Sequence, residues 1–191
     1  MSLKSFLDRE ILEHQSVFQA TRNSLAEIFM TLCAIAEKVL NDGIKIMFMG
    51  NGGSVADAQH LAAEPVVCYK MDRSLLAALA LATDSSTLTA GANDFGNDKI
   101  FERQLRALGG KGDLVIGITT SGDSPNVLKA LHVAKDLGII PAALAEKGVG
   151  KLASLANPLL IIVSDSAARI QEMHIFLGNL LCDALEQRCA Q

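Results

Sequence analysis

The sequence predicts an α/β protein: a five-stranded parallel sheet covered on both faces by helices and entered through an N-terminal helical extension. Three observations predict it. Five short apolar runs alternate with helical stretches, and each gap exceeds the dozen residues that a crossover between parallel strands requires. Residues from about Ser5 to Leu40 place apolar side chains three and four apart, with neither Gly nor Pro among them. A glycine-rich turn then joins the first apolar run directly to a helical pattern.

Taken in order, the N-terminal helical region presents Leu25, Ile28, Phe29, Leu32, Ile35, Ala36 and Val39 as one apolar face, and Asn41-Asp42-Gly43 ends it. The expected strands are Ile44–Met49, Leu76–Leu81, Leu114–Ile118, Ile140–Leu144 and Leu159–Val163, and Ser166–Gln187 closes the chain as a long helix. No repeat, low-complexity segment or linker interrupts this pattern. The expectation is one domain over 1–191, with N-terminal helices over 1–42 and the α/β core over 43–191.

Composition narrows the function. The net charge is −4, with one Tyr, no Trp and no basic run, so the electrostatic footprint of a nucleic-acid binder is missing. Half the residues are hydrophobic and mean hydropathy is +0.30, which points to surface buried between subunits. Cys33, Cys68, Cys182 and Cys189 form no CxxC pair, as expected of idle thiols in a reducing compartment. The charged N-terminus does not read as a signal peptide, and the longest apolar run, Leu75–Ala82, is too short to span a bilayer. A cytoplasmic protein without a membrane partner is expected.

Ligands of open parallel sheets bind beyond the C-terminal ends of the strands, so the loops there carry the functional argument. After the first strand comes Gly50-Asn51-Gly52-Gly53-Ser54, then a helix bearing His60 and Glu64. Small residues let backbone N–H groups approach an anion, and the helix start adds oriented donors. His60 and Glu64, four apart, share a helix face beside that turn. After the second strand lie Thr83–Thr87 and Asn93–Asp98. After the third lies Thr119-Thr120-Ser121-Gly122-Asp123-Ser124-Pro125, in which Ser124 fits a helix cap and Pro125 the first helical position. Two such loops on one sheet edge can hold a phosphate with neutral donors alone. Taken singly, the same residues also read as ordinary caps and turns, and Asp94 fits a turn cap as well as a sugar contact.

Two nucleotide motifs are excluded. The dinucleotide fingerprint needs Gly or Ala where this chain has Val55, and Gly110-Lys111-Gly112 lacks the hydroxyl residue of a P-loop.

Asn51-Gly52-Gly53-Ser54, Asp57-Ala58-Gln59-His60 with Glu64, Ala92-Asn93-Asp94, Thr120-Ser121-Gly122-Asp123-Ser124 and Arg169-Ile170-Gln171-Glu172-Met173-His174 occur in that order. Together they resemble the sugar isomerase (SIS) domain family, and within it the phosphoheptose isomerases. The resemblance implies a three-layer sandwich with strand order 2-1-3-4-5, a homotetramer, and isomerisation of sedoheptulose 7-phosphate through an enediol on the way to heptose-containing glycans such as lipopolysaccharide. It implies that Ser54, Thr119, Ser121 and Ser124 hold the phosphate, with Thr120 in the same substrate-binding loop. Asn51, Gly52, Gly53, Asp94 and Gln171 would line the substrate site. Glu64 would be the general base, and His60, Glu64 and Gln171 would be ligands of a Zn2+ ion. The family's second catalytic side chain is a histidine eight positions beyond Gln171, where this chain carries Asn179. On a regular helix His174 is rotated by roughly 140° from that position and is not expected to replace it. The family's arginine near Tyr69 is replaced by Cys68, with Lys70 as the nearby stand-in cation.

Asn179 also keeps a second class open: a catalytically impaired phosphosugar-binding protein, or one like the replication-initiator-associating SIS protein. The C-terminal end, Glu186–Gln191, lacks the Leu-Phe pair of the latter.

Overall fold

The computed structural model describes residues 1–146, 148 and 150–189, so the last two residues of the C-terminal segment weighed above lie outside the described residues. The elements are α1 (Leu3–Asn41), β1 (Ile46–Gly50), α2 (Gly53–Val66), β2 (Ala78–Ala80), α3 (Ser85–Phe95), α4 (Ile100–Leu108), β3 (Leu114–Ile118), α5 (Pro125–Asp136), β4 (Ile140–Glu146), α6 (Leu152–Leu155), β5 (Leu159–Ile162) and α7 (Ala167–Cys189). A 3-10 turn, Asn97–Lys99, separates α3 from α4. All strand pairs are parallel, in the order β2-β1-β3-β4-β5, as the family resemblance implies.

Strand alternation sorts the core into two layers. Ile46, Phe48, Leu114, Ile116, Leu144 and Leu160 pack with Leu32, Ala36, Leu61, Met173 and Leu177, beneath α1, α2 and α7. Met47, Met49, Val115 and Ala143 face the other way, against Phe101, Leu105, Val127, Leu131 and Leu152 of α4, α5 and α6. Every residue of β1 and β3 is buried, which is why these central strands read as continuous apolar runs rather than as alternating ones.

Several boundaries differ from the sequence reading. The N-terminal region is one continuous helix, capped by Ser2, whose hydroxyl accepts from the Ser5 N–H. β1 begins at Ile46: the Ile44 N–H still bonds back to the Val39 carbonyl in the turn that closes α1, and Lys45 leads into the sheet, its carbonyl accepting from the Leu114 N–H. β2 is an edge strand and shrinks to three residues, with Leu75 exposed just before it. Isolated edge segments lack a second neighbour to hold their ends, so apolar composition overestimates their length. Among the described residues no helix is long and apolar enough to cross a membrane.

Candidate active site

The turn between β1 and α2 depends on its glycines. Gly52 adopts φ +54° and ψ −122°, in the region where a side chain is strained. A Cβ at Gly50 would lie 2.7 Å from Ser54 Cβ and 2.9 Å from the Ile118 carbonyl oxygen. The Ser54 N–H donates to the Asn51 carbonyl at 2.9 Å, folding the turn onto the first residues of α2. A Cβ at Gly53 would overlap the Gln171 amide, so α7 lays Gln171 directly over the start of α2.

On the neighbouring loop, after β3, three hydroxyls form a cluster. Thr119 Oγ1 lies 3.1 Å from Ser124 Oγ and 3.4 Å from Ser121 Oγ, and the two serine oxygens are 3.5 Å apart. Thr120 sits half-buried between them in sequence. Ser124 is the N-cap residue of α5 and Pro125 follows it, as expected. Its hydroxyl, however, makes no cap hydrogen bond. It turns into the cluster instead, which leaves both hydroxyls and helix-start N–H groups for an incoming anion. The Asn51 and Asn126 side chains exchange two hydrogen bonds of 2.8 Å and so tie this loop to the β1 turn. Asn126 was not singled out from the sequence. Its only signal is its place two residues after the last serine of the loop.

The ionisable groups converge between α2 and α7. His60 Nε2 lies 2.9 Å from Asn179 Oδ1, and His60 Nδ1 lies 3.5 Å from Glu64 Oε1. Burial pushes the Asp57 carboxyl up, while a hydrogen bond from Gln171 and the nearby His60 oppose that rise. Its Oδ2 is buried and makes no hydrogen bond. Cys182 lies beneath this face. Burial, with the Glu64 charge adding to it, pushes its thiol up to about 12, so it stays protonated and unreactive.

Glu64 is anchored from behind, by a device that sequence reasoning missed. Pro65 lies inside α2 and cannot donate to the Leu61 carbonyl, which instead receives the Cys182 thiol at 3.8 Å. Arg73 closes the helix end. Its Nη2 donates to the Glu64 carbonyl at 3.0 Å, and its Nη1 donates to those of Pro65 and Ser74 at 2.8 and 3.0 Å. Glu186 Oε2 lies 3.5 Å from Arg73 Nε. The Glu186 carboxylate also accepts the backbone N–H groups of Tyr69, Lys70 and Met71 at 2.8, 2.6 and 2.9 Å. Burial alone would raise its pKa, but those three donors together with Arg73 hold it below the ordinary carboxylate range. Lys70, the expected stand-in cation, is instead paired with Asp183 at 2.6 Å.

His174 is fully buried, and neither ring nitrogen has a side-chain partner; burial pushes its pKa down to about 4. As its helical phase indicated, it does not join His60. Asp94 lies near the end of α3 and accepts from the Asn93 amide at 2.8 Å, with no bond to the other candidate residues. Asp84, not Asp94, caps α3, accepting from the Thr87 N–H at 3.0 Å. A cleft of about 660 Å³ borders the hydroxyl loop at Asp123 and Pro125 and runs over α5, and Glu64 does not line it.

The donor chemistry does not fit a resident zinc ion. His60 and Glu64 are suitable ligands, but Gln171 and Asn179 are neutral amides, which zinc sites seldom use. One His60 nitrogen already faces Asn179, and the Gln171 amide is wedged over Gly53. Among the described residues no three His, Cys, Asp or Glu side chains are grouped so as to share an ion.

A parallel sheet of order 2-1-3-4-5, with a glycine turn and a hydroxyl loop at the C-terminal ends of neighbouring strands, defines a doubly wound α/β protein. Residues 11–145 match the model of the SIS domain. The phosphoheptose isomerase of Paramagnetospirillum magneticum is 54% identical over 186 residues, which cover 97% of each chain. The solved structure of phosphoheptose isomerase from Neisseria gonorrhoeae superposes with a TM-score of 0.91 at 38% identity, covering 97% of this chain and all of that one. The enzyme from Francisella tularensis gives 0.94 at 33% identity, over 98% of this chain and all of the other. The chain therefore belongs to the SIS domain family and, within it, to the phosphoheptose isomerases.

Proposed function

We propose that this chain interconverts sedoheptulose 7-phosphate, or a closely related phosphorylated ketose, and the corresponding aldose through an enediol. The observation that carries the reading is Glu64, set 3.5 Å from His60 Nδ1 on a helix that begins at the glycine turn. In this reading Ser54, Thr119, Thr120, Ser121 and Ser124 hold the phosphate, and Gly52 and Gly53 let the backbone close on it. Asn51, Asp94 and Gln171 face the sugar. Glu64 removes the C1 proton, the C1–H pair forms the C1–C2 double bond, and the carbonyl oxygen takes a proton from His60. In the second half the C1 hydroxyl returns its proton to His60, and Glu64 delivers its own to C2. The net change is one hydrogen moved between adjacent carbons. No step passes through zinc, because the donor set argues against it.

The reading extends to a homotetramer in the cytoplasm, supplying heptose for glycans such as lipopolysaccharide. Its support is the apolar surface of α1, where Leu3, Phe6, Leu7, Ile11, Leu12 and Met30 are exposed. A groove of about 220 Å³ lined by Phe18, Leu25, Phe29, Phe176 and Leu180 lies between α1 and α7. Contiguous apolar surface of this kind is usually covered by another subunit.

The test is incubation of the purified chain with sedoheptulose 7-phosphate, followed by NMR. The expected result is aldoheptose 7-phosphate, with a loss of about 10²–10⁴-fold in the Glu64→Gln variant. A second reading, a phosphosugar-binding protein without turnover, is favoured by one observation: Asn179 cannot transfer a proton as an imidazole can. It predicts thermal stabilisation by the phosphosugar with no product.

A further inference from the structure

We infer that Asn179 is the positioning residue for His60, and that this pair lets the chain work without a resident divalent metal ion. The inference rests on the isomerase reading for its catalytic meaning, and on its own geometry for the rest.

The two nitrogens of His60 have different neighbours. Nε2 lies 2.9 Å from Asn179 Oδ1, and Nδ1 faces Glu64 Oε1 at 3.5 Å. An amide oxygen only accepts, so Nε2 carries a hydrogen that donates to it. This leaves Nδ1, on the Glu64 side, as the nitrogen that exchanges a proton with a substrate oxygen. Fixing one imidazole nitrogen to define the work of the other is how histidine is commonly set for catalysis. The residues 60 and 179 belong to different helices, and Gly178 makes their approach close: a Cβ there would overlap the Leu61 methyl groups.

The same contact opposes metal binding. A divalent ion bound at Nε2 would displace the hydrogen that Asn179 accepts, and it would gain only an amide oxygen in return. Anionic or imidazole ligands beyond His60 and Glu64 do not converge among the described residues. Glu64 therefore keeps its lone pairs for the proton rather than for a cation. With Nε2–H held by Asn179, a second proton carried on Nδ1 meets the carbonyl oxygen in a fixed direction, and giving it up leaves the neutral Nε2–H imidazole, whose Nδ1 takes back the C1 hydroxyl proton.

The experiment uses the full chain. Zinc chloride is titrated into chelator-treated wild type and into Asn179→His by calorimetry, and the metal content of both is measured after dialysis. Wild type is expected to give no saturable zinc signal, and Asn179→His to acquire one, because the new imidazole supplies a third strong ligand. In the same preparation 15N spectra of His60 should show the hydrogen on Nε2, and Asn179→Leu should change that tautomer balance while the fold is kept. Turnover by wild type should be unaffected by chelator. Asn179→Leu should lower kcat by about 10–100-fold, the range typical of orienting partners, with KM nearly unchanged. Saturable zinc binding by wild type, or abolition of its turnover by chelator, would overturn the inference. So would a His60 tautomer indifferent to residue 179. Absence of turnover in every preparation would instead sink the isomerase reading, and the titration and 15N spectra would still decide the metal question.

Discussion

Replacing Arg73 by leucine should destabilise the fold by about 5 kcal/mol, and the structure supplies the components. The Arg73 and Glu186 side chains are 3% and 1% exposed, so removing the guanidinium leaves an uncompensated buried carboxylate. Breaking such a pair from one side generally costs about 3–5 kcal/mol. Glu186 keeps three backbone N–H donors, which places its share near the lower end. The carbonyls of Glu64, Pro65 and Ser74 also lose their donors, and each such bond is worth about 0.5–1.5 kcal/mol when a solvated alternative exists. For a chain of this size the sum corresponds to a fall of about 10–20 °C in Tm. Urea unfolding followed by far-UV circular dichroism is the suitable assay, since the chain has no Trp and one Tyr. Protein concentration must be held fixed, because subunit association adds to apparent stability. The double variant Arg73→Leu with Glu186→Leu should recover part of the loss. A single-variant loss below about 1 kcal/mol would refute the claim that Arg73 anchors the end of the Glu64 helix, since a buried, multiply bonded guanidinium cannot be that cheap to delete.

Other outcomes follow from single contacts. Ser124→Ala should weaken phosphosugar binding, measured by calorimetry, while changing stability by less than about 0.5 kcal/mol, because its hydroxyl joins Thr119 and Ser121 rather than capping α5. A loss near 1 kcal/mol, as for a working cap, would contradict that assignment. Burial keeps His174 neutral in the native state, to about pH 4, while the unfolded chain takes up its proton near 6.5. Stability should therefore fall as pH drops from 6.5 toward 4, by up to about 3 kcal/mol from this group, and urea midpoints for His174→Leu should show a flatter acid limb. An unchanged slope in the variant would rule out that contribution. Gly178→Ala should cost about 1–3 kcal/mol in chemical unfolding through overlap with Leu61, and Leu61→Ala in the same chain should relieve part of it. Strict additivity of the two losses would show that the residues do not press on each other.

The central strands were legible because burial on both faces leaves an unbroken apolar run: β3 falls on Leu114–Ile118, as expected. The edge strand β2 was overestimated, since composition cannot report that one flank is unpaired. Strand order came from the resemblance alone, because nothing in apolar periodicity says which neighbour a strand chooses. The glycine turn and hydroxyl loop were visible for a local reason: residue type and strand-end position suffice to suggest an anion cradle. Partnerships between distant segments were not visible. Asn51 meets Asn126 across 75 positions, His60 meets Asn179 across 119, and Glu186 meets Tyr69 across 117. Arg73 drew no reading from the sequence, and only the carbonyls left open at the end of α2 explain why it is buried. Lys70, nearer in sequence to the family's arginine position, turned outward to Asp183.

The proton path through Glu64 is tested most directly by running the reaction in deuterated water. With sedoheptulose 7-phosphate and the wild-type chain, the aldose formed should carry deuterium at C2, and recovered ketose should gain it at C1, since a carboxylate-bound proton exchanges with solvent between removal and return. Glu64→Gln should show neither, with its fold intact. Label entering at the wild-type rate in Glu64→Gln would contradict the assignment of Glu64 as the base.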